Sequence, residues 1–414
     1  MSHPADVDGS LLDPHIQSDP FEFYDQLREK CPVYQMPETG FWVLTTYDDV
    51  RAALTDTETF SSQMRTHGMT AQNRGLHQKI LKERGWAHVA TLQRTDPPDH
   101  TRYRKLLNRV FTGRRVRQLE PYIDGVVAEL IDGFVDDGRC EFMYDFAVPL
   151  PGIVIAEQLG LSRDDIRTFA RWADAMLAPS SRFLDEEEAI EVAETELEAQ
   201  HFFAGVFEDR RASPRDDIIS GLVHAHGDDD EPLTVHELQS LMHQLITGGY
   251  ETTTSALGHG LLQLVDHPDQ MARLRADRSL MKAFVEESLR HTSPVQSLSR
   301  WTTRDVEING TVIPEGSTVM VRFGAANRDP DRFECPAQLD LDRDDVHSHV
   351  AFGLGNHFCI GAALARYEIE ASFTGLLDRL DDIELAEPMD DPAHLPSLFL
   401  LPLKPIRLRF SSAA

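Results

Sequence analysis

The longest helical pattern in the chain covers residues 235–265. Leucines recur on nearly every face of it, and a helix that is apolar all round is usually buried. Thr234 and Glu237 have the spacing of a capping box at its start, and Pro268 follows its end. About 30 residues rise about 45 Å in a helix, so we predict that this element runs through the centre of the fold.

The middle of this helix carries the run Gly248-Gly-Tyr-Glu-Thr252. Glycines weaken a helix, and a threonine hydroxyl can donate a hydrogen bond to a carbonyl one turn earlier. Either effect disturbs the backbone hydrogen bonds of that turn. We therefore expect an opened turn here, with a groove for small molecules such as dioxygen and water.

Strand patterns are short and bounded by turn residues. Asn309-Gly310 is a strong signal for a hairpin turn. Residues 61–92 are interrupted by three glycines, and a long, partly helical loop is predicted there. Most of the remainder has amphipathic helical patterns, so the fold class predicted is mainly α with small β-sheets (α+β). The β-rich parts are mainly 20–60, 295–325 and 383–410.

Length and composition predict one domain over residues 1–414. The chain has no Gly/Ser-rich linker or visible repeat, and its 41% hydrophobic and 26% charged residues are typical of a globular protein. Four cysteines without a C-x-x-C pair suggest neither a zinc site nor a disulfide framework. The start lacks a leader pattern and no stretch has the apolar length of a membrane span, so we expect a cytoplasmic location.

The formal net charge of −29 argues against binding to nucleic acid or an anionic membrane. An acidic helical pattern over 185–198 is interpreted as a solvated face. Residues 102–117 contain basic and no acidic residues. A solvated helix face normally mixes both signs, so this basic segment is predicted to dock an acidic partner. Its members are Arg102, Arg104, Lys105, Arg109, Arg114, Arg115 and Arg117.

The strongest chemical signal is Cys359, in the run Phe352-Gly-Leu-Gly-Asn-His-Phe-Cys-Ile-Gly361. The glycines before it permit unusual backbone angles, and the helical pattern after it would present the positive end of a helix dipole. Both effects favour a thiolate, which is a ligand for haem iron. A lone cysteine would more often be buried and inert, so the spacing of its neighbours decides the interpretation.

Phe352, Gly353, Gly355, His357, Cys359 and Gly361 match the haem-binding signature of the cytochrome P450 family at every defined position. The chain resembles a soluble bacterial cytochrome P450 over most of its length. The resemblance implies the cytochrome P450 fold, with haem b between the long central helix and the helix after the cysteine loop. It also implies that residues 61–92 cover a substrate pocket.

The resemblance further implies roles for individual residues. Cys359 would be the axial ligand of the haem iron. Thr252 and Glu251 would be the catalytic pair that delivers protons, and Glu287, Arg290 and Arg343 would be structural. The other residues expected to contact the cofactor are His100, Arg104, Arg300, His357, Gly248 and Phe352. The substrate pocket would include Leu245, Thr247, Val295, Leu298, Leu398 and Phe399.

The function expected is a haem-thiolate monooxygenase that uses dioxygen to hydroxylate an apolar small molecule, such as a terpenoid, a steroid, an alkyl-aromatic or a fatty acyl chain. Electrons would come from NAD(P)H through a ferredoxin reductase and an acidic ferredoxin, which would dock near Arg102, Arg109, Arg114, Arg115 and Arg117. Two alternatives stay open: a peroxide-driven peroxygenase, which would need neither the acid–alcohol pair nor the basic segment, and a non-catalytic haem sensor or carrier.

Overall fold

The computed structural model of the protein describes residues 7–63, 71–161, 166–181, 184–225 and 231–413. They are mainly helical with small sheets, which confirms the predicted fold class. The chain forms two compact units. The first unit comprises Met1–Ser61, Glu120–Leu150 and Glu251–Ala414, and the second comprises Ser62–Leu119 and Pro151–Tyr250. The single domain over 1–414 stays a prediction.

Helices account for most of the residues that the structure describes. Among the described residues, no helix has the length and apolar character needed to cross a membrane. The α-helices are α1 Pro14–Ser18, α2 Phe21–Lys30, α3 Tyr47–Thr55, α4 Ala71–Arg84, α5 Asp99–Val110, α6 Gly113–Asp132, α7 Pro149–Gln158, α8 Ile166–Ser181, α9 Glu186–Ala212, α10 Ile218–Val223, α11 Val235–Gly249, α12 Glu251–Asp266, α13 Pro268–Ala276, α14 Met281–Thr292, α15 Phe323–Ala326 and α16 Ala362–Arg379.

The strands form a five-stranded sheet in the order β1-β2-β8-β5-β3, a three-stranded sheet in the order β4-β10-β9, and the hairpin β6-β7. All of them belong to the first unit. The strands are β1 Val33–Gln35, β2 Trp42–Leu44, β3 Phe60–Ser61, β4 Arg139–Glu141, β5 Ser297–Thr302, β6 Val306–Ile308, β7 Thr311–Ile313, β8 Thr318–Arg322, β9 Leu380–Leu385 and β10 Arg407–Ser412.

Strand β8 shows how the five-stranded sheet is held. Successive side chains of a strand point to opposite faces. Accordingly, Val319 and Val321 pack in a core cluster with residues of α3, whereas Met320 packs in another with residues of α2. Both faces of β8 are therefore buried. The neighbouring strand β5 is held in place by its pairing with β8. The hairpin predicted at Asn309-Gly310 is present, with both residues at positive φ.

The long central helix is interrupted at Tyr250, between α11 and α12. This confirms the predicted opening, although the hydrophobic pattern alone predicted one continuous helix. Thr247, not only the paired glycines, contributes to it, because its hydroxyl donates a hydrogen bond of 2.8 Å to the carbonyl of His243. The predicted capping box is also present: Thr234 Oγ1 accepts from the Glu237 amide, and the Glu237 carboxylate accepts from the Thr234 amide at 2.7 Å.

The structure bears on two further predictions, the loop over 61–92 and the solvated face over 185–198. The partly helical loop over 61–92 contains α4, while residues 64–70 lie outside the described part of the chain. The solvated face expected over 185–198 is wrong at Glu196, which is only 1% exposed. Periodicity could not reveal this, because the groups that bury Glu196 belong to other segments of the second unit.

Candidate active site

The loop from Phe352 to Gly361 has a backbone that only glycine adopts without strain. Gly353 has φ +69° and Gly355 has φ +66°, both in the left-handed region. A Cβ at Gly355 would lie 3.1 Å from the carbonyl oxygen of Leu54, so space also restricts that position. The Cys359 amide donates to the Phe352 carbonyl at 2.9 Å, which closes the loop. The glycines are therefore needed for the shape that presents the cysteine.

Cys359 is exposed, and the helix α16 begins three residues after it. A Cβ at Gly361 would lie 4.0 Å from the Cys359 sulfur, so the chain approaches the sulfur closely on that side. An accessible sulfur beside the amino end of an 18-residue helix is placed where the helix dipole favours an anion. This donor on a rigid loop fits the axial ligand of a haem iron.

Glu286 joins the cysteine loop to α16, a role that the sequence analysis missed. Its carboxylate accepts from Arg366 Nη2 at 2.9 Å and lies 3.1 Å from His349 Nε2. The Arg366 guanidinium lies 4.4 Å from the centre of the Phe352 ring. Burial favours the neutral acid, but the hydrogen bonds from Arg366 and His349 prevail and lower the pKa of Glu286 to about 2. The only signal in the sequence was a second glutamate beside Glu287.

The structure brings Glu287, Arg290 and Arg343 together, as expected. Arg290 donates two hydrogen bonds of 2.7 Å to the Glu287 carboxylate, and Arg343 Nε donates to it at 3.1 Å. Arg290 also donates to the Asn327 carbonyl at 2.8 Å. The Asn327 side chain in turn accepts from the amide of Val350 at 2.7 Å, just before the cysteine loop. The buried ion pair is thus connected to the loop by hydrogen bonds.

Glu251 and Thr252 form the first turn of α12, and both are half-buried. The helix α12 packs against α16. Gly260 makes that contact close, because a Cβ there would lie 2.7 Å from ring atoms of Phe373. The helix that begins with the acid–alcohol pair and the helix that follows Cys359 are therefore packed on each other within the first unit.

The two pocket segments of the first unit also meet. The Gln296 amide donates to the Phe399 carbonyl at 2.8 Å, and Val295 forms a β-bridge with Leu400. Leu298, Leu398 and Phe399 are partly buried in the core clusters on the two faces of the sheet. Arg300 is buried on β5, opposite Val319 of β8. His357 is half-buried in the short turn Gly355–His357.

The other predicted residues belong to the second unit. His100 and Arg104 lie one turn apart on α5. Burial, and then the charge of Arg104, lower the pKa of His100, so its ring is neutral at neutral pH. On α11, Leu245 is buried, Thr247 is half-buried and Gly248 is exposed.

The basic segment is partly neutralised within the second unit. Arg102 pairs with Glu237 at 2.6 Å, and Arg115 pairs with Asp216 and donates to Gln158 at 2.9 Å. Neither guanidinium is therefore fully available to a partner. The members whose side chains are exposed are Lys105, Arg109, Arg114 and Arg117.

Comparisons with known proteins agree with this geometry. Residues 176–410 match the family model described as "Cytochrome P450". The cytochrome P450 monooxygenase PikC of Streptomyces venezuelae is 35% identical over 98% of this chain and 95% of its own. The 6-deoxyerythronolide B hydroxylase of Saccharopolyspora erythraea is 35% identical over 95% of this chain and 98% of its own.

Solved structures give the same result. The structure of cytochrome P450 CYP109Q5 from Chondromyces apiculatus superimposes with a TM-score of 0.85. The two sequences are 35% identical, and the match covers 98% of this chain and 99% of the other. With a cysteine loop of the required shape, a buried Glu–Arg–Arg cluster behind it and relatives matched along nearly their whole length, the chain belongs to the cytochrome P450 family of haem monooxygenases.

Proposed function

We propose that this monooxygenase hydroxylates a bulky, neutral, largely apolar molecule of the size of a polyketide macrolide or a steroid. The observation that carries this proposal is the similarity to 6-deoxyerythronolide B hydroxylase, which extends over nearly the whole of both chains. Smaller terpenoids and alkyl-aromatics, and long fatty acyl chains, are the competing substrate classes.

Within this proposal, bound haem supplies the iron chemistry that activates dioxygen. The role of Cys359 is to bind the iron through its sulfur. The glycine-shaped loop fixes the position of the sulfur. Glu286 of α14 pairs with Arg366 of α16 and with His349 just before the loop, and so ties the three together. The Phe352 ring lies against the Arg366 guanidinium, and this contact links the start of the loop to α16.

Glu251 and Thr252 are proposed to handle protons. A carboxylate at the start of α12 can exchange protons with solvent, because Glu251 is half-buried. The Thr252 hydroxyl can accept a hydrogen bond from a water molecule and donate its own, so it can hold a proton at a fixed point. In the proposed pathway the carboxyl exchanges the proton with solvent and the hydroxyl passes it on towards the substrate.

The haem propionates are carboxylates, and cationic or hydrogen-bonding side chains are suited to hold them. Arg300 and His357 are proposed for this role in the first unit, and His100 and Arg104 in the second. A neutral His100 can still donate one N–H to a propionate. Gly248, which has no side chain, is proposed to let the cofactor approach α11.

The substrate is proposed to contact Leu245, Thr247, Val295, Leu298, Leu398 and Phe399. Five of these six side chains are apolar, and Thr247 already donates its hydroxyl proton to a backbone carbonyl. A lining of this kind has no charge to neutralise a charged substrate. This favours a neutral substrate over a free fatty acid.

Electrons are proposed to come from NAD(P)H through an acidic ferredoxin. The exposed part of the basic segment, namely Lys105, Arg109, Arg114 and Arg117, is the proposed docking surface. Arg102 and Arg115 are less suited than the sequence suggested, because they already pair with carboxylates of the chain.

The substrate class can be tested by optical titration of the ferric protein. Entry of a substrate that displaces iron-bound water shifts the Soret band. We expect this shift with macrolactones or steroids at micromolar concentrations, and a weaker one with monoterpenes, alkylbenzenes and free fatty acids. A strong response to the compact compounds alone would contradict the proposed size class. Product formation with a ferredoxin system, compared with hydrogen peroxide alone, separates the monooxygenase from the peroxygenase.

A further inference from the structure

A second group of side chains suited to binding a ligand lies in the second unit and includes none of the residues assigned above. It consists of His77 on α4, His88 in the segment after α4, Glu196 on α9 and His243 on α11. The residues come from separate parts of the sequence, so no local motif predicts the group. We call it the His–Glu cluster.

The cluster is organised around the Glu196 carboxylate. His77 Nε2 lies 2.8 Å from Glu196 Oε2, and His88 Nε2 lies 2.5 Å from Glu196 Oε1. The rings of His88 and His243 are 4.4 Å apart between centroids. One ligand atom from each of His88, Glu196 and His243 lies within 4.8 Å of the others. Three potential metal ligands thus converge on one point, while His77 holds the other carboxylate oxygen.

The backbone around His88 is held by hydrogen bonds to two residues that lie one turn from Glu196 and one turn from His243. The Gln200 side chain accepts from the Trp86 amide at 2.8 Å and donates to the Trp86 carbonyl at 3.0 Å. Gln200 is one turn after Glu196 on α9. The Val89 amide donates to Ser240 Oγ at 3.0 Å, and Ser240 is one turn before His243 on α11. The three ligands are therefore carried by elements that are tied to one another.

The chemistry of these groups suits a divalent transition metal. Zinc is bound by imidazole nitrogens and carboxylate oxygens at about 2.0–2.2 Å, which puts neighbouring ligands of a tetrahedral site about 3.3 Å apart. To reach that value, side-chain rotation has to widen the 2.5 Å separation of His88 and Glu196 and to close the others, which are at most 4.8 Å. A neutral imidazole, such as that of His243, has a lone pair to offer a metal. The carboxylate ligands of metal sites are usually held by further hydrogen-bond partners, and His77 is placed to do this for Glu196.

A simple buried ion pair does not account for the whole cluster. One carboxylate needs a single cationic partner, whereas three imidazoles surround Glu196. Arg94 also faces Glu196 and His243 with a positive charge. Such a surplus of donors would be costly as a purely structural device, because His77 is buried, and His88 and His243 are half-buried, so the imidazoles lose hydration. As a metal site, the three imidazoles and the carboxylate each have a role.

We propose that His88, Glu196 and His243 bind a divalent transition metal of the zinc type, with water as a fourth ligand and with His77 as a positioning residue for the carboxylate. The metal links the segment after α4 to α9 and α11. The site uses none of the residues assigned to the haem and does not depend on which substrate is oxidised.

The test measures zinc bound by the haem-loaded protein, prepared without a histidine tag and stripped with a chelator. After equilibrium dialysis against micromolar zinc, we expect one zinc per haem in the wild type. His88→Gln and His243→Gln should each weaken zinc binding by about 100-fold or more, and His77→Gln by about 10–100-fold. His236→Gln is the matched control, because His236 is exposed on the same helix as His243 and should leave binding unchanged.

Folding is checked in the same samples from the Soret spectrum and the midpoint of thermal unfolding without metal. Zinc should raise that midpoint in the wild type and in His236→Gln, since a ligand that binds only the folded state stabilises it. It should not do so in His243→Gln. The proposal is overturned if the wild type binds no zinc at these concentrations, or if folded His88→Gln and His243→Gln bind it as tightly as the wild type.

Discussion

Glu287 shows how much a single buried side chain can organise. Its carboxylate accepts hydrogen bonds from Arg290, from Arg343 and from the amide of Asp340 at 3.0 Å. Glu287 and Arg290 are both 0% exposed. A buried pair of this kind adds little stability over an apolar packing, but the loss of one partner leaves an uncompensated charge. The importance of Glu287 therefore lies in the two guanidinium groups that it neutralises.

Replacing Glu287 by Gln should lower the free energy of unfolding by about 3–5 kcal/mol, because Arg290 and Arg343 lose their counter-charge in the interior. The measurement is the thermal midpoint together with the haem content of the purified protein. Glu384→Gln is the control, since Glu384 pairs with Arg409 at an exposed position and such pairs contribute little. If both variants behaved alike, Glu287 would not have the structural role assigned to it.

Thr252→Ala should separate dioxygen consumption from product formation. The alanine cannot hold a proton donor at the start of α12, so we expect less product for each NAD(P)H consumed and more hydrogen peroxide released. The variant Thr252→Ser keeps the hydroxyl and should stay coupled. Unchanged coupling in Thr252→Ala would remove Thr252 from the proton pathway.

The helix α16 is the element on which several contacts of the site converge. Arg366 pairs with Glu286, and Phe373 packs against Gly260 of α12 and edge-on against Phe284 of α14. The same helix buries Glu368, and burial raises the pKa of that carboxyl to about 8. A helix this constrained keeps Cys359 in a fixed relation to α12 and α14.

Glu368 should make stability depend on pH in a defined direction. Its pKa is higher in the folded than in the unfolded chain, so its contribution is fully present below about pH 4.5 and is lost as pH rises towards 8. Glu368→Gln stays neutral throughout. The thermal midpoint of the variant should therefore rise relative to wild type between pH 5.5 and pH 8. An unchanged difference between the two proteins would show that Glu368 titrates normally.

Elements whose signals are local could be predicted from sequence, and those that depend on distant partners could not. The cap at Thr234, the turn at Asn309-Gly310 and the interruption near Gly248 all follow from adjacent residues. The strand β4 was missed, since it pairs with β10, far along the chain. Glu286 and Glu196 were missed for the same reason, because spacing along a helix does not say what packs against it.

At the scale of the whole molecule, the main electrostatic feature is the contrast between a net charge of −29 and the exposed basic residues of 102–117. A charge patch of opposite sign to its surroundings attracts a complementary partner and raises the association rate. The negative surface elsewhere repels an acidic partner from unproductive positions. We therefore expect the charge distribution, as well as direct contacts, to orient an electron donor on this surface.

Reversing two of these charges with Arg114→Glu and Arg117→Glu together should raise the KM for an acidic ferredoxin by about tenfold at low salt. The effect should shrink at high salt, where charges are screened. The double variant Arg139→Glu and Arg211→Glu makes the same change in net charge at exposed positions outside the segment. Equal effects from both double variants would mean that only net charge matters, which would contradict a docking surface there.

The most direct test of the account is the carbon monoxide difference spectrum of the reduced, haem-loaded protein. If Cys359 binds the iron as a thiolate, the wild type should show the strongly red-shifted Soret band typical of thiolate-ligated haem. Cys359→Ser should lose that band, while Cys335→Ser, which changes another exposed cysteine, should keep it. A thiolate-type band that survives in Cys359→Ser, or that is lost in Cys335→Ser, would contradict the assignment of Cys359 as the iron ligand.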